Sequence, residues 1–437
     1  MYAVPGLHYD ETWAFTYAHR IATEPGFWPW QGMSPYTSPW THYWAALWLS
    51  WHDSLTMFRA SQIFLSCAGI ALLALAVVKD KRFFLVVCLS PALILNQRFA
   101  IELTGFHVFC AALFLLGLKK RSVILWVLAL LLGCTSHILF ISVAFAATVW
   151  VVLEKMELRA SEKRAILVCG ILLSGFFLRA AFLIPEKGKA LALAVACLAC
   201  GCFLWWGIPR FLIFPWLRRL FWPSAIFFGL SVFFFFSGAW PLGISTGDFQ
   251  PWLLVFAPVF CFFFWRGFSR SPEGERLFFL VLLSAAGAMM LKPTPRYYEL
   301  AFLGVAYFLH KGLVTSAPWQ RQAGFVLLAV NALLIYPRYF SQIPQEKALH
   351  FLVWKDNSKD FLSKQELARI MGEAGCALSN ISVMNSRNLD SLVALARHDW
   401  VLTEKKCDKH LLILLPSEVA NVSTHDMSWA GYVVRGF

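Results

Sequence analysis

Two adjacent carboxylates near the N-terminus, Asp10 and Glu11, are the residues best placed for acid–base chemistry. They follow His8 and Tyr9 and precede a helical pattern that runs to Thr23. A carboxylate beside a reacting carbon can take the proton of an attacking hydroxyl group, so Asp10 is a candidate general base. Asp is also a favoured N-cap residue, and Asp10 could instead cap the helix that begins beside it. Position alone leaves both interpretations open.

A second acidic residue, Glu102, starts a later apolar segment. Arg98 precedes it by four residues, so the two could form a surface ion pair on one helical face. An ionisable group at the start of a membrane span is nevertheless costly unless it is paired or used. Glu102 is therefore a second candidate acid, which could position an acceptor or a metal ion.

Two cations and a tyrosine, Lys292, Arg296 and Tyr297, lie in a loop stiffened by prolines. A fixed Lys and Arg suit a phosphate group, because Arg can bind it through two hydrogen bonds. Both side chains could also reach lipid headgroups, which is the structural alternative. None of the histidines His8, His107 and His137 has metal-ligand spacing. We therefore predict no metal site from the spacing, no certain cofactor, and a divalent metal only as a possibility.

The amino-acid composition indicates the class of protein in which these candidate residues are held. Of 437 residues, 59% are hydrophobic and 14% charged, and the mean hydropathy is +0.61. Soluble domains carry about 25% charged residues. These values exclude a soluble enzyme, a nucleic-acid binder and a disordered chain, and they predict an all-α polytopic membrane protein. We expect about twelve spans, at 55–78, 83–97, 105–118, 122–134, 137–153, 165–185, 190–208, 221–243, 251–265, 277–291, 300–310 and 323–337.

The distribution of Lys and Arg predicts the orientation. Six alternate loops between these spans hold 18 Lys and Arg residues, and the opposite short loops hold 5. The positive-inside rule places the first set in the cytoplasm. Residues 1–43 and 338–437 then lie outside it. The +13 net charge reflects this topology and does not indicate a nucleic-acid partner.

Three regions follow from these patterns. Residues 1–54 form an extracytoplasmic Asp-Glu loop with interfacial helices, including an apolar stretch at 43–51 that is too short to span. Residues 55–337 form the transmembrane helical domain. Residues 338–437 have a soluble composition and predict a small α/β module, in which short apolar runs at 349–354, 400–402 and 411–415 alternate with a helical stretch at 363–374. Cys376 and Cys407 could pair if this module lies outside the cell.

The order of these features resembles the C-type glycosyltransferase superfamily, in particular its protein mannosyltransferase and aminoarabinose transferase branch. The Asp10-Glu11 pair is followed by a Tyr-x-x-Pro-like turn at Tyr36–Pro39, a span led by Arg59, an external acidic residue and a late Arg-Tyr. The resemblance covers roughly residues 7–310. Members usually carry a span before the Asp-Glu loop, whereas nine residues precede Asp10 here. A misassigned start, a truncation and a translocated N-terminus would each account for this difference.

The resemblance implies a polyprenyl-phosphate or pyrophosphate sugar as donor and transfer to an acceptor at the extracytoplasmic face with inversion. By this resemblance, Asp10 corresponds to the family's catalytic carboxylate, with Glu11 beside it. Glu102 corresponds to the family's second external acidic residue. Lys292 and Arg296, with Tyr297, match the phosphate-binding residues; the supporting residues are His8, Tyr9, Tyr36 and Arg98.

The acceptor is a glycan, a lipid or a protein, and neither it nor the sugar follows from the sequence. A bacterial inner membrane with the site facing the periplasm is the default location, with the endoplasmic reticulum left open. The main alternative function is a multi-span transporter or lipid flippase.

Overall fold

A computed structural model of the chain describes residues 7–30, 37–53, 55–90, 93–94, 104–137, 140–153, 159–183, 187–206, 252–290, 299–340, 361–362, 376–379, 410–414, 427–429 and 432–436. For residues 7–13 the description covers the backbone alone. Most of the described chain is helical, in agreement with the predicted fold class. The core of the structure is a bundle of apolar helices joined by short charged turns.

The helices begin and end as follows: α1 Tyr9–Thr23, α2 Trp40–Leu49, α3 Leu55–Leu72, α4 Arg82–Cys88, α5 Thr104–Lys120, α6 Val123–Ser136, α7 Ile141–Leu153, α8 Ala160–Leu183, α9 Lys187–Trp206, α10 Trp252–Ser269, α11 Glu273–Met290, α12 Glu299–Val314 and α13 Pro318–Phe340. A π-helical turn at Leu73–Val78 extends α3 without a break. The bundle helices overlap the predicted apolar segments, but α4 ends at Cys88 and covers only the first part of segment 83–97. Segment 221–243 lies outside the described residues. The short helix predicted at 43–51 is α2, which begins three residues earlier.

Two of the described helices are long and apolar enough to cross a bilayer, Thr56–Val78 and Ala160–Leu183. Only 44% and 33% of their most apolar windows are buried inside the protein. The core helix of a soluble protein would be mostly buried, whereas these helices leave apolar side chains such as Phe182 on the surface. This exposure fits association with a membrane.

Two large hydrophobic clusters among the described residues pack the bundle, and α5 contributes to both. One cluster joins α5, α6, α7 and α8 around Phe114, Trp126 and Phe140. The other joins α3, α4, α10 and α12 around Phe83 and Phe263. Where α10 crosses α12, Gly267 and Gly312 bring the two backbones so close that an added Cβ at either would collide with a carbonyl oxygen. Small residues at such crossings are typical of helix packing in membranes.

The bundle has two ends that differ in their polar groups. The charged end carries Asp80, Arg82, Glu275, His310 and Lys311, and it joins the turns after α3, α10 and α12. These turns belong to the set that the Lys and Arg count assigns to one side of the membrane. The N-terminal end carries α1 and α2, together with the first turns of α3, α5 and α12 and the last turns of α6 and α8.

The described strands lie at the two termini of the chain. β1 (Leu7–His8) pairs antiparallel with β2 (Phe361–Leu362). A separate four-stranded sheet has the order β3 (Cys376–Ser379), β4 (His410–Leu414), β6 (Tyr432–Gly436) and β5 (Met427–Trp429). β4 overlaps the apolar run at 411–415, while the runs at 349–354 and 400–402 lie outside the described residues. β3 and β4 are parallel, which requires a crossover connection through residues 380–409. The predicted helix at 363–374 and the pairing of Cys376 with Cys407 lie outside the described residues.

Candidate functional site

Asp10 and Glu11 are the second and third residues of α1, directly after His8 in β1 and Tyr9 at the helix start. The helix therefore begins before Asp10. Since an N-cap residue precedes the first helical residue, this placement weakens the interpretation of Asp10 as a simple cap. Two carboxylates in the first turn of a helix are favourably placed toward the positive end of its dipole.

Aromatic and polar contacts fix the rest of α1 against the bundle. The ring of Phe15 meets the ring of Phe58 on α3 edge-on at 5.7 Å. Tyr17 contacts His42 on α2, with ring centroids 5.6 Å apart. Near the C-terminal end of α1, His19 Nδ1 lies 2.9 Å from the carboxylate of Asp53. From Phe15 onward, α1 is thus held against α2, α3 and the turn between them.

The helical repeat relates the backbone positions of Asp10 and Glu11 to buried residues further along α1. Residues four and eight positions after Asp10 are Ala14 and Ala18, and both are buried. Residue Phe15, four positions after Glu11, is fully buried. Because positions i and i+4 share a face of a helix, backbone positions 10 and 11 are in line with these buried residues.

The other predicted site residues lie outside the described residues: Glu102, Lys292, Arg296, Tyr297, Tyr36 and Arg98. Their neighbouring elements are nevertheless in place. α5 begins two residues after Glu102, and the segment with Lys292 and Arg296 connects the end of α11 to the start of α12. The starts of α5 and α12 are both at the N-terminal end of the bundle.

Below this end, polar side chains are buried inside the bundle in what we call the polar layer: Arg59, Gln62 and Ser66 on α3, His107 on α5, Ser136 on α6 and Glu299 at the start of α12. Each is less than 9% exposed. The imidazole Nε2 of His107 lies 3.2 Å from the Ser136 hydroxyl. Gly105 on α5 sits against Gln62 and Ser66 so closely that a side chain there would collide with the Gln62 carbonyl oxygen.

The polar layer is incompletely satisfied within the part of the chain that the structure describes. The Gln62 amide donates to the Ser61 hydroxyl at 3.4 Å, but no described group donates to Gln62 Oε1. The Ser66 hydroxyl likewise has no described hydrogen-bond partner. A buried polar atom without a partner costs about 1–3 kcal/mol, so such atoms call for an explanation such as a bound group.

His42 on α2 supplies a neutral imidazole near the polar layer. Its Nδ1 lies 3.4 Å from the Thr41 hydroxyl, and Trp44 on the same helix donates to the Ser61 carbonyl at 3.0 Å. Burial lowers the pKa of His42 to about 3. At neutral pH His42 is therefore uncharged and acts through hydrogen bonds alone.

Sequence reasoning missed most of this layer. Arg179, within the predicted span 165–185, is exposed with its guanidinium 4.6 Å from the Trp30 ring centroid. Arg59, also within a predicted span, is the buried cation. The available signal was the spacing of Arg59, Gln62 and Ser66, which are three and then four residues apart and therefore share one face of an apolar helix.

The charged end has the opposite character. Arg82 donates to Asp80 Oδ2 at 2.7 Å, and His310 Nε2 lies 3.1 Å from the same oxygen. The hydrogen bond from Arg82 holds the pKa of Asp80 well below its usual range. Lys311 and the Tyr307 hydroxyl both donate to Glu275 Oε2, at 2.9 and 2.8 Å. These groups satisfy one another, which is typical of a structural network.

No group of three or more His, Cys, Asp or Glu side chains among the described residues is arranged to hold a metal ion. Asp10, Glu11 and Glu102 are not covered by this statement, so the possible divalent metal stays a prediction. No known protein family, curated protein or solved structure matches the chain.

Proposed function

We propose that the chain is an integral membrane glycosyltransferase that moves a sugar from a polyprenyl-phosphate-linked donor to an acceptor at the extracytoplasmic face, with inversion. The observation that carries the proposal is the position of Asp10 and Glu11. They lie in the first turn of α1, in line with the buried residues Ala14 and Phe15 of the same helix. Carboxylates held there can meet both a lipid-linked donor and an acceptor from the aqueous side.

In this mechanism Asp10 accepts the proton of the acceptor hydroxyl as its oxygen attacks the anomeric carbon. The bond from that carbon to the donor phosphate oxygen breaks, and the lipid phosphate leaves with the electron pair. Lys292 and Arg296 stabilise the charge that develops on this phosphate. Glu102 positions the acceptor, and attack from the face opposite the leaving group inverts the anomeric centre.

The depth of the polar layer favours a reaction at the membrane surface. At about 1.5 Å per residue, Arg59 lies about 6 Å from the start of α3, in a helix about 35 Å long with its π-helical extension. His107 lies about 5 Å from the start of α5, and Glu299 is the first residue of α12. The ionisable groups of the layer are thus near one end of the bundle, and only the uncharged Ser66 approaches its middle.

A transporter or flippase is the second candidate, because Arg59 is a buried cation inside a helix that can cross the membrane. Transport sites, however, usually place their ionisable groups near the bilayer midplane. The position of Arg59 close to the end of α3 is less suited to that function.

We also propose the multi-pass topology of about twelve spans, in a bacterial inner membrane with the N-terminal end facing the periplasm. The pairing of β1 with β2 supports one part of this topology, because it requires residues 7–8 and 361–362 to be on the same side. The parallel β3–β4 pair, with its long connection, supports an α/β module at the C-terminus.

The direct test is transfer from a radiolabelled polyprenyl-phosphate sugar in membranes that contain the full chain. We expect a new glycosidic bond with the anomeric configuration opposite to that of the donor. In parallel, vesicles loaded with the same donor report its movement across the bilayer. Donor movement without any new glycosidic bond would contradict the enzyme and favour the flippase.

A further inference from the structure

The strand that leads into α1 is paired with the C-terminal part of the chain. Leu7 lies opposite Leu362, and His8 lies opposite Phe361, in an antiparallel pair. The two strands are separated in sequence by the whole helical bundle. This contact joins two segments of different predicted character. The N-terminal segment contains predicted catalytic residues, and the C-terminal segment contains none.

The pairing acts on the chain very close to Asp10. His8 is the last residue of β1, and Tyr9 is the first residue of α1. Asp10 is therefore two residues from a paired backbone position, without an intervening loop to absorb a movement. Any displacement of β1 is transmitted directly to the first turn of the helix.

The described side-chain contacts of α1 begin at the level of Phe15 and continue to His19 and Arg20. The first turn of a helix is its weakest part, since its N–H groups lack partners within the helix and helix ends fray. The β1–β2 pair supplies backbone hydrogen bonding at the residues just before this turn. α1 is thus anchored at both ends, by packing at one and by strand pairing at the other.

We infer that Phe361–Leu362 is a positioning element for Asp10 and Glu11, and that the C-terminal segment thereby sets the rate of the reaction. This inference rests on the proposed function. The effect is on turnover more than on donor binding, since the predicted phosphate-binding residues Lys292 and Arg296 lie in a different loop. A misplacement of a reacting group by about 1 Å costs on the order of 100-fold in rate.

The pairing itself can be tested without any activity. In the full chain, Leu7→Cys combined with Leu362→Cys should form a disulfide under mild oxidation, since directly opposed residues have Cα atoms about 4.5–5.5 Å apart. The matched control combines Leu7→Cys with Phe361→Cys, which is one residue out of register and on the opposite face. Mass spectrometry of the linked peptides, with both single variants as background, reads out the link. Equal linking in both pairs, or none in either, would overturn the pairing.

The positioning role is tested by loosening the strand. Phe361→Gly weakens the β1–β2 pair, because glycine is unfavourable in strands. The control variant Ala377→Gly also introduces a glycine into a strand, but into β3, which does not pair with β1. We expect Phe361→Gly to lower kcat by about 10- to 100-fold with the donor KM changed less than about threefold, and Ala377→Gly to lower neither. When Phe361→Gly is combined with Leu7→Cys and Leu362→Cys, the oxidised disulfide between these two positions should restore kcat, and its reduction should remove the gain. A purely structural defect would not respond to the link.

The outcomes separate the two proposals. Wild-type kcat in Phe361→Gly, or a low kcat that the disulfide does not restore, overturns the positioning role while transfer by the wild type keeps the proposed function. Absence of transfer by the wild type overturns the proposed function, and the positioning role with it, whatever the cross-linking shows.

Discussion

The carboxylate of Asp80 at the charged end accepts a hydrogen bond from Arg82 and contacts His310, whereas Gln62 Oε1 in the polar layer has no donor among the described residues. The Asp80 side chain is 19% exposed, and Gln62 is 1% exposed. An unmet hydrogen bond is more costly where water is excluded. Among the described residues, the carboxylate of Asp80 is thus matched by its donors, whereas the buried amide oxygen of Gln62 is not.

A large effect on transfer should distinguish Arg296 from Arg82, a cation of the charged end. If Arg296 binds the donor phosphate as proposed, Arg296→Ala removes a contact that strengthens as the leaving group departs, so transfer should fall by about 10²–10³-fold. Donor binding should weaken as well, because the ground-state phosphate also interacts with the guanidinium. Arg82→Ala at the charged end is the matched control. Transfer per folded molecule should be unchanged in Arg82→Ala, and a similar fall in both variants would break the comparison.

A smaller effect is expected in the polar layer. Gln62→Leu replaces a buried amide by an apolar side chain of similar size, which removes an unpartnered acceptor. Such replacements are nearly neutral or stabilising, so the melting temperature in detergent should stay the same or rise. Turnover should fall by about tenfold if the amide serves the reaction, in line with the usual trade-off between stability and activity. A lower melting temperature would show that Gln62 is structural.

At the charged end the same kind of substitution should cost stability. Asp80→Asn removes a carboxylate whose pKa is held low by Arg82, and we expect a loss of about 1 kcal/mol or less, because solvent screens this partly exposed pair. A depressed pKa in the folded state stabilises above the unfolded-state pKa of about 3.9, and this contribution is lost as the pH falls below it. The difference in melting temperature between wild type and Asp80→Asn should therefore be greatest at neutral pH and should decrease in acid. A difference that grows in acid would contradict the assignment.

The smallest perturbation is a label that tests whether the two ends lie on opposite sides of the membrane. Thr23 at the end of α1 and Lys120 at the end of α5 are both exposed. Thr23→Cys should react with an impermeant thiol reagent in intact spheroplasts, and Lys120→Cys should react only after lysis. Equal reactivity of both before lysis would refute the orientation.

Sequence patterns predicted the helices well, because long apolar runs separated by charged turns have few alternative structures. α5 and α6 lie within two residues of their predicted bounds. Asp10 and Glu11 were predicted in a loop ahead of the helical stretch that runs to Thr23, whereas the structure has them in the first turn of α1. The membrane crossings and the catalytic roles remain predictions.

Long-range features could not be predicted in this way. The β1–β2 pair is two residues long and joins distant parts of the chain, so no local pattern indicates it. The polar layer depends on which face of α3 packs against α5, and that follows from the close approach of Gly105. The link from Asp80 to His310 is likewise decided by how α4 and α12 pack, which spacing along one helix does not reveal.

The central claim is that Asp10 at the N-terminal end carries the chemistry and that Asp80 at the charged end does not. Transfer from a radiolabelled polyprenyl-phosphate sugar, measured in membranes with matched amounts of wild type, Asp10→Asn and Asp80→Asn, compares the two carboxylates directly. We expect Asp10→Asn to lose about 10²–10⁴-fold in rate with donor binding retained, because the variant keeps the shape but not the proton acceptor. Asp80→Asn should transfer at the wild-type rate per folded molecule. Wild-type transfer by Asp10→Asn would contradict the account.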